Sequence, residues 1–342
     1  MYNIIFSADE NYIKYTAVLI TSIIKNTDAN NGFLNDIYHF HLLSNFLSDN
    51  VKKKLEDLQN ELSKFYPCKI SIYIMKDDEF KNFPSSGAAH SLKLPYYRLK
   101  FISLLNDNVD RCLYLDSDML CMCDIRELFC MDLKDNIIAV VGDPGSKKAK
   151  IKFMEDGKKR VLKFDEDYFN SGFLFINVKE YKKARIEQKC EELAKKCIYI
   201  KAADQDLLNA TISKDKILKL DFAYNFNIIT LLYTVCKDEK KNRLNYTREE
   251  FIQSTKNPKI LHYGEKPWKF LHSYKDFYGK NINDYWWDIA QITPIFKEEL
   301  LKQKKEIRDY LLYVGLGYAL YNFCKKYQIF GIKKLLKTEN DK

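Results

Sequence analysis

Leu113-Tyr114-Leu115-Asp116-Ser117-Asp118 reads as an apolar strand that ends in two carboxylates separated by one residue. In an open α/β sheet, ligands bind beyond the carboxyl ends of the strands, so the placement of these carboxylates matters more than their number. Two Asp side chains at a strand end can share one hard divalent cation through oxygen atoms and leave positions open for phosphate oxygens. Asp-x-Asp is also frequent by chance, and the plainer alternative is a pair of solvated turn carboxylates.

Around this segment, strand-like runs alternate with helical ones, the pattern of an α/β fold with strands flanked by helices. Asn3–Phe6, Tyr38–Leu43, Lys69–Ile74, Cys112–Leu115, Ile137–Val141 and Gly172–Asn177 are expected to be short buried strands. Tyr12–Asn26 and Ser48–Phe65 are expected to be amphipathic helices, the second with Val51, Leu55, Leu58 and Leu62 at helical spacing. Lys147–Lys163, rich in Lys, Asp and Gly, breaks the alternation and reads as a solvated loop.

Across its 342 residues the chain carries 56 Lys and Arg against 47 Asp and Glu, a formal charge of +9. With 46% hydrophobic residues and only 11 Gly and 7 Pro, it is neither disordered nor collagen-like. The excess charge suits an anionic substrate or an anionic membrane surface. No basic motif with base-reading geometry is present, so no nucleic-acid partner is expected. Met1 to Asp9 reads as a strand running into an acidic loop, not as a signal peptide. Nine cysteines scattered through apolar runs suit reduced thiols and a cytoplasmic location. Cys121, Cys123 and Cys130 lack the paired spacing of a zinc site. No run is long enough and apolar enough to span a bilayer.

Ile260-Leu261-His262-Tyr263-Gly264-Glu265-Lys266-Pro267-Trp268 follows a strand-like run with an imidazole, a glycine that permits close backbone approach, and a lysine. An imidazole completing an Asp and His metal set, followed by a lysine for a diphosphate, is chemically coherent. A single His after a strand is more often structural, and the Gly-x-Lys-Pro-Trp context argues the other way.

Taken in order, these segments resemble glycosyltransferase family 8, retaining enzymes of the GT-A fold that include bacterial lipopolysaccharide galactosyl- and glucosyltransferases. The resemblance spans roughly residues 1–290. Asn3-Ile4-Ile5-Phe6-Ser7-Ala8-Asp9-Glu10-Asn11-Tyr12 resembles the opening strand and uridine-binding loop, and Tyr96-Tyr97-Arg98-Leu99 the helix with a sugar-contacting Arg. Asp116-Ser117-Asp118 matches the metal motif, Phe169-Asn170-Ser171-Gly172 the Asn-x-Gly segment, and Ala203-Asp204-Gln205-Asp206 the segment beneath the anomeric carbon. His262 with Lys266-Pro267-Trp268 matches the last metal ligand and the diphosphate clamp. The interval between His262 and Lys266 is one or two residues shorter than is common in the family, which bears on the separate roles of Gly264 and Lys266.

The resemblance implies an α/β, Rossmann-like mixed sheet flanked by helices. It implies a catalytic domain over residues 1–268 and a C-terminal helical, membrane-associating segment over 269–342. Asp116, Asp118 and His262 would hold Mn²⁺ or Mg²⁺. Ala8, Asp9, Asn11 and Tyr12 would receive the uracil, with Tyr12 alternatively a core residue at a helix start. Gly264 and Lys266 would clamp the diphosphate. Arg98, Asp116, Asn170 and Asp204 would line the donor sugar, with Ser117 also among the donor-binding residues and Arg98 having the alternative of a helix-surface ion pair. Gln205, with Asp204, would act at the anomeric centre. His90 and Asp143 fall on the acceptor side. The implied activity is transfer of galactose or glucose, with retention, from UDP-galactose or UDP-glucose to an oligosaccharide or lipid-linked glycan such as a lipopolysaccharide core. The alternatives are a non-catalytic sugar-nucleotide or glycan-binding module on the same fold and a nucleotidyltransferase. The latter would want a glycine-rich loop after the first strand, and Ser7–Tyr12 has no glycine.

The last segment interleaves Lys297, Lys302, Lys304, Lys305, Arg308, Lys325, Lys326, Lys333, Lys334 and Lys337 with Tyr310, Tyr313, Tyr318, Tyr321, Phe323, Tyr327 and Phe330. Such a helix suits attachment in the plane of an anionic bilayer at the inner face of the plasma membrane. Its alternative is a helix that covers the catalytic domain or a dimer partner.

Overall fold

Strand β1 (Tyr2–Ser7) is buried along its whole length, as befits a parallel strand covered on both faces. It lies between β2 (Tyr38–Ser44) and β4 (Arg111–Leu115), parallel to both, and β2 pairs in parallel with β3 (Cys68–Ile74). On the other side of β4, β9 (Phe169–Asn177) runs antiparallel between β4 and β6 (Ile138–Gly142), and β11 (Ile217–Lys219) closes the edge parallel to β6. The seven-stranded order is β11-β6-β9-β4-β1-β2-β3. All six expected strands are present within one to three residues of their expected ends. The computed structural model describes residues 1–28, 36–84, 93–145, 149–228, 246–271 and 274–326.

Period-two alternation along the central strands divides the core. Leu113 and Leu115 of β4 face one side with Ile4, Phe6, Phe173 and Phe175, whereas Cys112 and Tyr114 face the other with Ile5, Leu174 and Ile176. The helix Ile13–Lys25 packs on the first side and buries Ile13 and every residue from Tyr15 to Ile24. Each fully buried aliphatic side chain there contributes about 2 kcal/mol. A second helix, Asp49–Ser63, is capped by Ser48 and buries Leu55, Leu58 and Leu62, with Val51 partly buried.

Two small sheets complete the architecture. β5 (Met119–Cys121), β13 (Ile260–His262) and β12 (Phe226–Asn227) form one, in the order β12-β13-β5. Asn26 at the end of the first helix donates to Cys121 O (3.0 Å), and Cys121 N–H donates to Ser22 Oγ (3.0 Å), so this sheet is tied to that helix. β7 (Lys150–Glu155), β8 (Lys158–Lys163) and β10 (Cys197–Tyr199) form the other, in the order β10-β7-β8. The expectation of a loop over Lys147–Lys163 is therefore corrected: from Lys150 the segment is a hairpin. Asp156 and Gly157, at φ 50° and 73°, make the two-residue turn that an Asp-Gly pair favours, and the density of charge masked that signal.

The aromatic segment after Pro267 packs inward. Trp268 stacks on Tyr15 (4.0 Å between centroids) and lies against Trp286 (5.1 Å), and Trp286 and Trp287 of the helix Ile282–Ala290 are buried. The helix Lys297–Lys326 begins against this cluster, with Leu300 buried and Gln303 donating to Trp268 O (3.0 Å). From Tyr310 to Leu316 its side chains are exposed, including Tyr313, Val314 and Leu316. Among the described residues, no helix is long and apolar enough to cross a membrane. The side chains of Tyr318, Tyr321, Phe323, Lys325 and Lys326, and all residues from Tyr327 onward, lie outside the described set.

Candidate active site

Because β9 is reversed, its first residues arrive where β4 and β6 end. Asp116 N–H donates to Gly172 O (2.9 Å), and Asp143 N–H donates to Tyr168 O (2.9 Å). His262 comes to the same place through pairing: it lies opposite Met119 in the β13–β5 ladder, and Tyr263 N–H donates to Asp118 O (2.9 Å). One carboxylate oxygen each from Asp116 and Asp118 and one ring nitrogen of His262 lie within 4.8 Å of one another. His262 Nε2 is 3.4 Å from Asp118 Oδ1, and the Lys266 ammonium pairs with Asp118 Oδ2. Burial lowers the basicity of His262 and keeps its imidazole neutral, the form that ligates metal. Burial works against ionisation of Asp116, but Arg98, with Lys266, outweighs it and holds the carboxyl below its ordinary range. The set crowds Gly172: a Cβ there would lie 2.7 Å from Asp116 Oδ2 and 2.9 Å from His262 Cε1, which favours glycine.

A chain of amides leads from His262 to Asp143. Two backbone N–H groups, which can only donate, set its direction. Gly172 N–H donates to Asn170 Oδ1 (3.0 Å), so Asn170 Nδ2 faces the other way and donates to Gln205 Oε1 (3.0 Å). Ser171 N–H also donates to Gln205 Oε1 (3.1 Å), which turns Gln205 Nε2 toward Asp143 Oδ2 (3.0 Å). Asn225 Nδ2 donates to Asn170 Oδ1 (2.9 Å), leaving Asn225 Oδ1 to accept from His262 Nδ1 (2.9 Å). The His262 proton is thereby assigned to Nδ1, and the Nε2 lone pair faces the carboxylates.

Arg98, buried at the end of the helix Leu94–Tyr97, pairs with Asp116 Oδ1 (2.7 Å), donates to Ser171 O (2.8 Å) and lies over the Tyr114 ring (4.3 Å). Its Nε is 3.1 Å from Asp204 Oδ2, but that N–H is directed to Pro95 O (3.1 Å). Asp204 Oδ2 thus has charge compensation and, among the described residues, no hydrogen-bond donor. Burial, against the pull of Arg98, raises the Asp204 carboxyl to about 6. Asp204 and Gln205 open the helix Ala203–Thr211 behind Ala203, a non-glycine residue at φ 35°, a strained conformation of the kind that active sites hold in place. Asp206 is fully buried and secures that turn by accepting from Lys201 N–H (2.8 Å) and Ala202 N–H (2.9 Å).

At the end of β1, Ala8 is buried and Asn11 exposed, while Asp9 caps the following turn by accepting from Tyr12 N–H (3.0 Å). The half-buried Tyr12 ring meets Tyr15 and Trp268 edge to face (5.4 and 6.0 Å). The Ser117 hydroxyl donates to Ser7 O (3.1 Å) and accepts from Thr16 Oγ1 (2.9 Å), fastening the Asp pair to β1. Gly264 is exposed just past β13. His90 lies outside the described residues.

The model of glycosyl transferase family 8 matches residues 3–272. This chain belongs to glycosyl transferase family 8. A lipopolysaccharide 1,2-glucosyltransferase of Escherichia coli is 30% identical over 330 residues, covering 91% of this chain and 86% of that protein. A lipopolysaccharide 1,3-galactosyltransferase of Salmonella typhimurium is 24% identical over 344 residues, covering 95% and 91%. Among solved structures, galactosyltransferase LgtC in complex with donor and acceptor sugar analogs covers 88% of this chain and 99% of its own at a TM-score of 0.62 and 22% identity. The bifunctional glycosyltransferase WbbM covers 88% and 51% at a TM-score of 0.65 and 24% identity. These likenesses establish the GT-A fold for this member of family 8. Sequence reasoning missed Asn225, the link between His262 and Asn170. Its one local signal is a polar side chain, almost fully buried, between Phe222 and Phe226.

Proposed function

We propose that this family 8 glycosyltransferase moves a hexose, galactose or glucose, from a UDP-sugar to a hydroxyl of a cell-surface glycan precursor such as a lipopolysaccharide core, with retention at the anomeric carbon. The observation that carries the reading is the meeting, at one edge of the sheet, of a cation-ligand set (Asp116, Asp118, His262) and a sugar-binding set (Asn170, Asp204, Gln205). The names of the E. coli and Salmonella relatives support the hexose and the acceptor class.

The ligand set fits a hard divalent cation: two carboxylates, a neutral imidazole with its lone pair directed inward, and no room for a further side chain at Gly172. Mn²⁺ or Mg²⁺ held there would act as a Lewis acid, offsetting the charge that develops on the departing diphosphate. Lys266 adds a positive charge beside Asp118, and Gly264 offers a backbone N–H past β13. Asp9 would bond the uracil edge, Asn11 and Ala8 would shape the loop and Tyr12 would stack on the base. Asp204 Oδ2, short of a donor, is suited to accept from a sugar hydroxyl, while Arg98 holds Asp116 and Asp204 in register.

Gln205 is an amide held by three hydrogen bonds, a poor nucleophile, which favours same-face substitution over a covalent intermediate. In that reaction the C1–O bond to UDP breaks, the acceptor oxygen bonds to C1 on the same face, and the acceptor proton passes to a phosphate oxygen of the leaving UDP. The Gln205 carbonyl dipole would stabilise positive charge on C1, and Asp143 is assigned to the acceptor. The exposed run Tyr310–Leu316 supports an interfacial role for the final helix at the cytoplasmic face of the membrane.

The test is UDP release from UDP-galactose, UDP-glucose and other UDP-sugars with Mn²⁺ and without acceptor. Slow hydrolysis of one hexose donor, abolished by chelation, is expected. Failure of every UDP-sugar to be bound or hydrolysed with metal present would remove the reading.

A further inference from the structure

One face of the sheet β10-β7-β8 is basic and carries no acid. In antiparallel pairing, opposed residues share a face, so Lys150 lies with Lys163, Lys152 with Val161 and Tyr199, and Met154 with Lys159. That face holds four lysines, one tyrosine, a valine and a methionine, with no Asp or Glu among its strand residues. Lys152 Nζ lies 5.4 Å from the centre of the Tyr199 ring, which places the two together. Val161, Met154 and Tyr199 are 50, 41 and 41% exposed. The opposite face carries buried Ile151, half-buried Phe153 and Cys197, exposed Leu162 and Lys158, and an acid–base pair, Arg160 with Glu155 (3.5 Å).

We propose that the lysine face is a docking surface for an anionic bilayer, separate from the final helix. Lysines spaced among exposed aromatic and aliphatic side chains match a lipid interface, where ammonium groups meet phosphates while apolar groups enter the headgroup boundary. A soluble anionic saccharide would gain nothing from Val161 and Met154. Position agrees: β7 begins seven residues after Asp143, and β10 ends five residues before Asp204, so both flanks of the face lead into the site.

The test compares full-length protein with the variant Lys150→Gln, Lys152→Gln, Lys159→Gln, Lys163→Gln for partition onto vesicles of phosphatidylcholine alone and mixed with phosphatidylglycerol. On the anionic vesicles the partition constant is expected to fall about tenfold or more, with donor hydrolysis in vesicle-free solution unchanged. Contributions of separate contacts multiply, so the final helix, present in both proteins, leaves that ratio intact. In a second protein, Tyr199→Trp, the introduced indole is expected to be quenched by brominated phosphatidylglycerol. Unchanged partition together with an unquenched indole would overturn the proposal. Unchanged partition with lost binding of a soluble phosphorylated oligosaccharide would overturn it in favour of an anionic glycan.

A second inference rests on the amide chain. The geometry assigns Asn225 as a positioning residue that couples the metal-ligand His262 to the anomeric Gln205 through Asn170. It extends the metal-dependent reading, and its two ends can be separated. Asn225→Ala removes both and is expected to weaken Mn²⁺ binding, measured by calorimetry without donor, about tenfold to a hundredfold. Asn225→Asp still accepts from His262 Nδ1 but places an oxygen against Asn170 Oδ1. It is expected to keep Mn²⁺ affinity and lose kcat, a split that a loss of fold would not produce. Wild-type Mn²⁺ affinity in Asn225→Ala overturns the assignment. Absence of Mn²⁺ binding by the unaltered protein would count against the metal reading itself.

Discussion

The strand-end site and the β10-β7-β8 face hold opposite charges in opposite ways. At the site, Asp116, Asp118 and Asp204 sit in or near the core, each within a few ångströms of Arg98, His262 or Lys266. On the small sheet, lysines stand out in solvent beside apolar side chains, and the one strand acid, Glu155, lies on the other face. The net charge of +9 therefore describes neither region. Buried acids among few cations serve geometry, because a displaced atom has no solvent to replace its partner. Exposed lysines serve long-range attraction, which tolerates motion and fades with salt.

This contrast makes two kinds of sensitivity, and the largest expected effect is at the crowded end. Gly172→Ala drives a methyl group into Asp116 and His262 and should lower donor hydrolysis about a hundredfold or more, measured as initial rate of UDP release. Near-normal turnover would show that the site yields more than its packing indicates. Next comes Asp204→Asn, expected to lower kcat about tenfold through loss of one charged acceptor for a sugar hydroxyl. The same variant carries a stability signature. Asp204 titrates near 6 in the folded protein, above its unfolded value, so its ionisation costs stability that is fully retained only below the unfolded pKa. Melting temperatures at pH 5 and pH 8 should therefore move in favour of the Asn variant as pH rises. A constant difference between the two proteins would mean that Arg98 fully compensates the buried charge. At the far end of the scale, the four-lysine variant should leave solution turnover untouched and alter only partition to anionic vesicles.

What could be read from sequence alone followed from locality. β1, β2, β4 and β9 announced themselves through short apolar runs, and Asp116 and Asp118 through their place at the end of one. The hairpin β7–β8 was hidden because its alternation is written in lysines, so that the outward face supplied almost all the signal. Asn225 was hidden for a different reason. Its importance arises from the pairing of β12 with β13 and of β13 with β5, contacts between segments far apart in sequence. The Ser117 hydroxyl, expected at the donor, is seen tying Ser7 to Thr16, a use that only the packing of β1 against β4 creates.

The reversal of β9 has a consequence for what kind of atoms the site can offer. Strands that end at an edge of a sheet hand over to loops, and their last side chains can swing with those loops. A strand that starts there presents amide hydrogens already locked in a ladder, and Ser171 and Gly172 place theirs under Gln205 and Asn170. These hydrogens cannot rotate, titrate or be lost by substitution of a side chain. Four neutral groups, from Gln205 to His262, inherit their polarity from a backbone that no point mutation erases short of breaking the sheet.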